Sequence, residues 1–165
     1  MIQHQISNKK IISFDLFDTA VCRIWSSPKD LFLKLEEIIV QENIRYAGFS
    51  EKRISAEITL RKKSNFQKEI SLDEIYRFLN ENHYPEYDLG AIKKKEIELE
   101  IHSTYGNPEI VNLINSIPRD RLIFCTDMYL PLEIISEIVQ RNVSRDKNIK
   151  IYLSSALGIR KSNGE

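Results

Sequence analysis

Three segments of the sequence place a polar, chemically useful side chain just after a short apolar run. They are Asp15 after residues 11–14, Thr126 at the end of 121–126, and Lys161 shortly after 149–153. The runs are rich in β-branched and aromatic residues, which is typical of buried strands. A carboxylate at the end of a buried strand is costly unless it faces donors or a cation. The Asp15 segment therefore reads either as part of a site or as a solvated loop after an ordinary strand.

These groups would suit chemistry on a phosphoryl group. A carboxylate such as Asp15 can attack phosphorus and hold the phosphoryl group covalently, which divides hydrolysis into two easier steps. The attack brings negative charges together, so it needs hydrogen-bond donors and cations nearby. The Thr126 hydroxyl and the Lys161 ammonium are candidates for those roles. Each has an ordinary alternative, because Thr126 could cap a helix and Lys161 could be a solvated surface lysine.

The elements that must position these residues alternate regularly in the last third of the chain. From residue 106 onward a helix, the strand 121–126, a second helix and the strand 149–153 follow one another. Such alternation predicts right-handed crossovers and a parallel sheet, whose strands present their carboxyl ends at one edge. We therefore expect an α/β fold in which Asp15, Thr126 and Lys161 converge on one cleft.

Between the first strand and this α/β part, the sequence predicts helices only. Leu31, Leu35, Ile38 and Ile39 line one face of a helix that starts at Ser27-Pro28, and Ser71 begins a capping box at the start of another. We expect no strand between about residues 26 and 105. The helical block therefore reads as an insertion that lies over the predicted cleft.

The amino-acid sequences of the three polar segments resemble the motifs of a known family. FDLFDT (14–19), FCTDMYLP (124–131) and SSALGIRKSNGE (154–165) look like motifs I, II and III of the haloacid dehalogenase (HAD) superfamily. The likeness is to subfamily I hydrolase domains, including those found with bacterial surface-polysaccharide proteins. It implies an α/β, HAD-like Rossmannoid parallel sheet formed by 1–25 and 106–165, with an all-helical C1 cap at 26–105.

The resemblance also implies roles for individual residues. The catalytic residues would be Asp15 as nucleophile, Thr126 and Lys161. Thr19, Asp127 and Tyr129 are candidate substrate-binding residues, and each has an alternative: Thr19 could bond the backbone of the Asp15 loop, Asp127 could orient a loop, and Tyr129 could be a packing residue. A Mg²⁺ cofactor would be held by Asp15 and by the backbone carbonyl of Phe17. The expected function is a hydrolase domain that transfers or hydrolyses the phosphoryl group of a small phosphorylated metabolite through an aspartyl intermediate.

The sequence departs from the family at two points. HAD phosphatases carry an acid–base aspartate two residues after the nucleophile, where this chain has Phe17, and Asp18 lies one residue further on. The sequence also stops at Glu165, before the motif IV acids of the family. From that end we expect a sheet that is incomplete at the C-terminus, weak Mg²⁺ binding, and either a further C-terminal domain or self-association. Two alternatives stay open, namely a non-catalytic ligand-binding or interaction module in a polysaccharide-biosynthesis protein, and dehalogenase-like attack on carbon.

The composition of the chain limits the classes of partner that we expect it to bind. Lys plus Arg and Asp plus Glu both number 24, so no bulk charge favours nucleic acid. No apolar run approaches membrane-spanning length, and the N-terminus lacks the features of a signal peptide. Cys22 and Cys125 fall in or next to predicted strands, where a structural disulfide is not expected. These features together predict a cytoplasmic protein without nucleic acid or membrane insertion, and the small phosphorylated substrate is what the motifs and the resemblance imply.

Overall fold

The computed structural model describes residues 10–65 and 69–157, and within them the chain is α/β. Its strands and α-helices follow in this order: β1 Ile12–Phe14, β2 Val21–Arg23, α1 Asp30–Glu42, α2 Phe49–Lys63, α3 Leu72–His83, α4 Gly90–His102, β3 Thr104–Gly106, α5 Pro108–Asn115, β4 Leu122–Thr126, α6 Leu132–Asn142, β5 Lys150–Leu153 and α7 Ser154–Leu157. Two 3₁₀ turns, Ile44–Tyr46 and Arg119–Arg121, connect them.

The main sheet has three parallel strands in the order β1-β4-β5. Phe14 is opposite Phe124, and Thr126 is opposite Leu153. The α/β class, the parallel pairing and all three predicted strands are thus confirmed, and the arrangement is compatible with a Rossmann-like fold. The strands point the same way, so their carboxyl ends meet at one edge of the sheet.

The two faces of this sheet differ in burial. Leu122, Phe124 and Thr126 alternate with half-buried Ile123 and Cys125 along β4. The buried face belongs to the main hydrophobic core, together with side chains of α6 such as Ile135 and Ile138. On the other face, Ile11 is 60% exposed and Tyr152 is 46% exposed. Within the described part of the chain, therefore, only one side of the sheet is covered.

Four helices, α1 to α4, form the block between β2 and β3, and they pack on one another. The predicted capping box begins α3: the Glu74 N–H donates to Ser71 Oγ at 3.2 Å, and the Ser71 N–H donates to the Glu74 carboxylate at 2.8 Å. Helix α1 starts at Asp30 rather than at the predicted Pro28. The reason is a preceding turn, in which the Ser27 N–H donates to the Asp30 carboxylate at 2.8 Å. No described helix is both long enough and apolar enough to cross a bilayer.

A short antiparallel ribbon of β2 and β3 was not predicted from the sequence. Its strands flank the helical block, with Cys22 opposite Tyr105, so the expectation of helix alone up to residue 105 is wrong at its end. Each strand has three residues, which is too few for an alternating pattern to be recognised. Gly106 is needed here, because a Cβ at this position would lie 2.1 Å from the Asn142 carbonyl oxygen. Cys22 and Cys125 are free thiols, as expected.

Candidate functional site

Asp15 and Thr126 follow from the ends of two neighbouring parallel strands. Asp15 comes directly after β1, is exposed, and accepts a hydrogen bond from Thr19 Oγ1 at 3.1 Å. Thr126 is the last residue of β4 and is only 3% exposed. Because β1 and β4 pair in parallel, both residues lie at the carboxyl edge of the sheet. Lys161, the third predicted catalytic residue, lies outside the described residues.

The loop after β1 is fixed by its own backbone hydrogen bonds. The Ala20 and Val21 N–H groups both donate to the Leu16 carbonyl, and the Asp18 N–H donates to the Val21 carbonyl at 2.8 Å. Asp18 adopts a left-handed conformation with φ of 59°, which aspartate tolerates better than most residues. This turn buries Leu16 and directs the Asp18 side chain outward, where it is 73% exposed.

A buried ion pair connects this loop to the helical block. Arg23 Nε donates to Glu100 Oε1 at 2.7 Å, and the two side chains are only 8% and 4% exposed. The Arg23 guanidinium also stacks 4.3 Å from the centre of the Phe17 ring and lies 3.6 Å from the Asp18 carboxylate. Burial raises the pKa of Glu100, and the charge of Arg23 opposes that rise in part. Arg23 thus holds Phe17 and Asp18 against α4.

A cavity of about 380 Å³ opens between the strand-end loops and the helical block. The loops and β2 contribute Phe17, Asp18, Arg23, Asp127, Met128 and Tyr129 to its wall, and the helical block with the turn before it contributes Pro28, Lys29, Phe32, Ile54, Glu57, Ile58, Arg61 and Glu100. Asp15 and Thr126 are not among the lining residues, although each lies within three positions of one. The cavity therefore extends away from the carboxyl edge toward the helices.

Behind one wall of the cavity, the helical block contains a network of buried charged side chains. Arg53, which is fully buried, makes two hydrogen bonds to Glu96, at 2.7 and 3.0 Å, and one to Glu57 at 3.1 Å. Tyr76 donates its hydroxyl to Glu96 at 2.7 Å. Burial alone would lower the pKa of Arg53, but the charges of Glu96 and Glu57, the hydrogen bonds to Glu96 and the nearby Tyr129 together outweigh burial and raise that pKa, so Arg53 is charged.

The same guanidinium contacts two aromatic rings. Its central carbon lies 4.5 Å from the centre of the Phe32 ring and 4.9 Å from that of Tyr129. Tyr129 is buried, and burial is the main reason that the pKa of its hydroxyl is raised well above the ordinary value. Tyr129 also accepts a hydrogen bond from the Leu72 N–H at its carbonyl, which ties the loop after β4 to the start of α3.

The predicted substrate residues thus separate into two groups. Asp127 and Tyr129 line the cavity, whereas Thr19 contacts Asp15 beside the sheet. Sequence reasoning missed Arg23, Glu57 and Glu100, which belong to no motif. The helix that carries Ile54, Ile58 and Arg61 was predicted, but its place at the cavity was not. With Glu57, these cavity-facing residues of α2 have the i, i+3, i+4, i+7 spacing of one helical face.

The predicted metal ligands offer oxygen atoms only. No cluster of three or more His, Cys, Asp or Glu side chains suited to a metal occurs among residues 10–65 and 69–157. The Asp15 carboxylate is exposed, and no described backbone N–H donates to the Phe17 carbonyl in the loop. Two hard oxygen donors from one loop suit Mg²⁺, which commonly keeps several waters and takes few protein ligands. The donor chemistry therefore fits the predicted cofactor.

Comparison with known proteins adds no assignment, since neither a family model nor a curated protein matches the chain. The resemblance to the HAD superfamily therefore rests on the three motifs of the sequence and stays a prediction.

Proposed function

We propose that this chain is a HAD-like hydrolase domain that removes the phosphoryl group from a small phosphorylated metabolite through a covalent intermediate on Asp15. The observation that carries the proposal is the position of Asp15 beside Thr126 at the carboxyl ends of two paired parallel strands. Ligands of open α/β sheets bind at this edge. The cavity between the strand-end loops and the helices supplies space for the rest of the substrate, and the helical block acts as its cap.

In the first step, a carboxylate oxygen of Asp15 attacks phosphorus and the bond from phosphorus to the ester oxygen breaks. The ester oxygen leaves as an alkoxide or phenolate, which takes a proton from water, and Asp15 becomes an acyl phosphate. In the second step, water attacks the same phosphorus, the bond to Asp15 breaks, and inorganic phosphate is released with the carboxylate restored. The Thr19 hydroxyl, which donates to Asp15 at 3.1 Å, orients the carboxylate for the first step.

Charge compensation is assigned to the other two predicted catalytic residues. Thr126 donates its hydroxyl to a phosphoryl oxygen, and Lys161 neutralises charge on Asp15 and the phosphate. When bound, Mg²⁺ would be held by Asp15 and the Phe17 carbonyl and would supply charge neutralisation for the phosphoryl group.

Phe17 makes protonation of the leaving group the difficult part of this reaction. A positioned acid–base typically contributes about 10²–10⁴-fold, and a phenyl ring cannot supply it. An aryl phosphate, whose departing oxygen is stable as an anion, should therefore be hydrolysed faster than an alkyl phosphate. Equal rates for the two esters would show that another residue supplies the proton, and Asp18 and Asp127, which line the cavity, would be mutated first.

The test of the proposal is phosphate release from an aryl phosphate by the full chain in the presence of Mg²⁺. Asp15→Asn should lower the rate at least about a thousandfold, because the nucleophile is lost. Asp120→Asn, an exposed aspartate outside the site, is the matched control and should keep the parent rate. Quenched reactions of the parent should contain protein that has gained one phosphoryl group in mass spectrometry. An unchanged rate in Asp15→Asn would contradict the proposal.

A non-catalytic ligand-binding or interaction module is the second candidate, and one observation favours it. Phe17 is 9% exposed and lies under Arg23, so the position of the family's acid–base is filled by packing. Absence of phosphate release from aryl, alkyl and sugar phosphates would favour this module in a polysaccharide-biosynthesis protein. Release of halide from a haloacid would instead favour dehalogenase-like attack on carbon.

A further inference from the structure

Most charges in the cavity wall already have a charged partner within the chain. Arg23 is paired with Glu100, and Arg61 with Glu57 at 3.2 Å and with Glu69 at 2.8 Å. Asp18 is 73% exposed and is therefore hydrated. Lys29 is also exposed and has no ion pair within residues 10–65 and 69–157. A ligand therefore does not need a charged group in order to neutralise these paired side chains beside α2.

Two apolar side chains of the cavity, in contrast, are incompletely covered. Ile58 in α2 is 43% exposed and Ile54, one turn earlier, is half-buried. Phe32 and Met128 line the same cavity and are nearly buried, at 5% and 7% exposure. We call Ile54, Ile58, Phe32 and Met128 the apolar strip. Burial of apolar surface by a ligand is favourable in proportion to its area, so this strip has affinity for hydrocarbon.

From these two features we infer that the apolar strip binds the uncharged, apolar part of the alcohol in the phosphate ester. This inference rests on the proposed function and narrows its substrate class from any small phosphorylated metabolite to esters of alkyl or aromatic alcohols. The size agrees, because 380 Å³ is near the lower limit of small-molecule sites, which span about 300–1,000 Å³. A polyhydroxylated sugar would bury less hydrocarbon against the isoleucines than an alkyl or aromatic group of the same size.

The test is a chain-length series measured by titration calorimetry on the full chain. One series uses ethyl, butyl and hexyl phosphate, and a second uses ethanol, butanol and hexanol, which carry no phosphate. Affinity should rise up to about fourfold for each added methylene in both series, as expected for burial of hydrocarbon. Glucose 6-phosphate should bind more weakly than hexyl phosphate.

Two substitutions connect the series to the strip. Ile58→Asn should remove most of the dependence on chain length, and Ile58→Leu should restore it. Ile44→Asn is the matched control, because Ile44 is 72% exposed and does not line the cavity. Circular dichroism of each variant verifies that the fold is kept. The inference is overturned by equal slopes in Ile58→Asn and the parent, or by equal loss in Ile44→Asn.

The alcohol series separates this inference from the proposed function. A slope that depends on Ile58 with alcohols alone supports the apolar strip even when no ester is hydrolysed. Rapid hydrolysis of esters without any dependence on chain length would support the proposed function and refute the inference.

Discussion

The helical block and the main sheet differ in the kinds of side chain that they bury. In the block, Arg53 and Glu96 are buried at 0% and 1% exposure and satisfy each other with two hydrogen bonds. In the sheet, the buried face carries hydrocarbon such as Leu122, Phe124 and Leu153, and polar groups are confined to strand ends. The block therefore adds a buried ion pair to its apolar core, whereas the buried face of the sheet depends mainly on apolar area.

This difference has an energetic consequence. Removing one partner of a buried ion pair leaves the other charged and unpaired in the interior, which costs far more than the pair itself contributes. Apolar packing loses stability in smaller steps, roughly in proportion to the methylenes removed. Substitutions of the buried charges in the block should therefore cost much stability. Substitutions in the sheet should cost less, and the cost should depend on which face of the sheet carries the side chain.

The largest expected effect is therefore in the block. Arg53→Leu leaves buried Glu96 without its guanidinium partner and should lower the free energy of unfolding by about 3–5 kcal/mol, measured by urea denaturation. Adding Glu96→Leu to this variant should recover part of the loss, because the buried charge is then gone. Lys34→Leu, which breaks an exposed pair with Glu37, should cost less than about 1 kcal/mol. Similar losses in Arg53→Leu and Lys34→Leu would erase the distinction between the two regions.

An intermediate effect is expected from the two faces of the sheet, and adjacent isoleucines provide a matched pair. Ile12 is 9% exposed and Ile11 is 60% exposed. Ile12→Val should cost about 0.5–1.5 kcal/mol in the free energy of unfolding, whereas Ile11→Val should stay within about 0.5 kcal/mol. Denaturant titrations of both variants measure these two losses in the free energy of unfolding. A loss at Ile11 as large as that at Ile12 would mean that the second face of the sheet is also covered.

The smallest effect concerns the pH dependence of two carboxylates in the block. The pKa of Glu100 is raised above its ordinary 4.5, mainly by burial, so the folded state retains a proton that the unfolded state has lost. Its contribution to stability is therefore complete below about pH 4.5 and is lost as the pH rises through the folded-state pKa. Glu100→Gln should abolish this part of the slope when the free energy of unfolding is measured against pH.

Glu36 provides the control of opposite sign. Burial would raise its pKa, but hydrogen bonds from the Ser50 hydroxyl and from the Ser50 and Gly48 N–H groups outweigh burial and lower it. Its contribution is present above pH 4.5 and is lost as the pH falls through the folded-state value. Glu36→Gln should therefore flatten the acid side of the profile. The same change of slope in both variants would contradict the assignment.

The sequence by itself determined the local elements and their order. The strand at 122–126 was readable because Leu122 to Thr126 form an apolar, β-branched run, and the start of α3 was readable because Ser71 and Glu74 contact each other within one turn. Parallel pairing followed from the alternation of helices and strands. All of these signals act over a few neighbouring residues, so they are written in the local sequence.

Tertiary structure alone decided which side chains meet across long separations. Arg23 and Glu100 are 77 residues apart, and Arg53 and Glu96 are 43 apart. These pairs form only because the four helices pack against one another and against the strands. No periodic pattern in the sequence predicts which of these charged residues will pair. The cavity has the same origin, because it exists only where the loops after β1 and β4 face one side of α2. A pair of opposite charges becomes buried and specific only when packing excludes water from it, which is a property of the assembled fold.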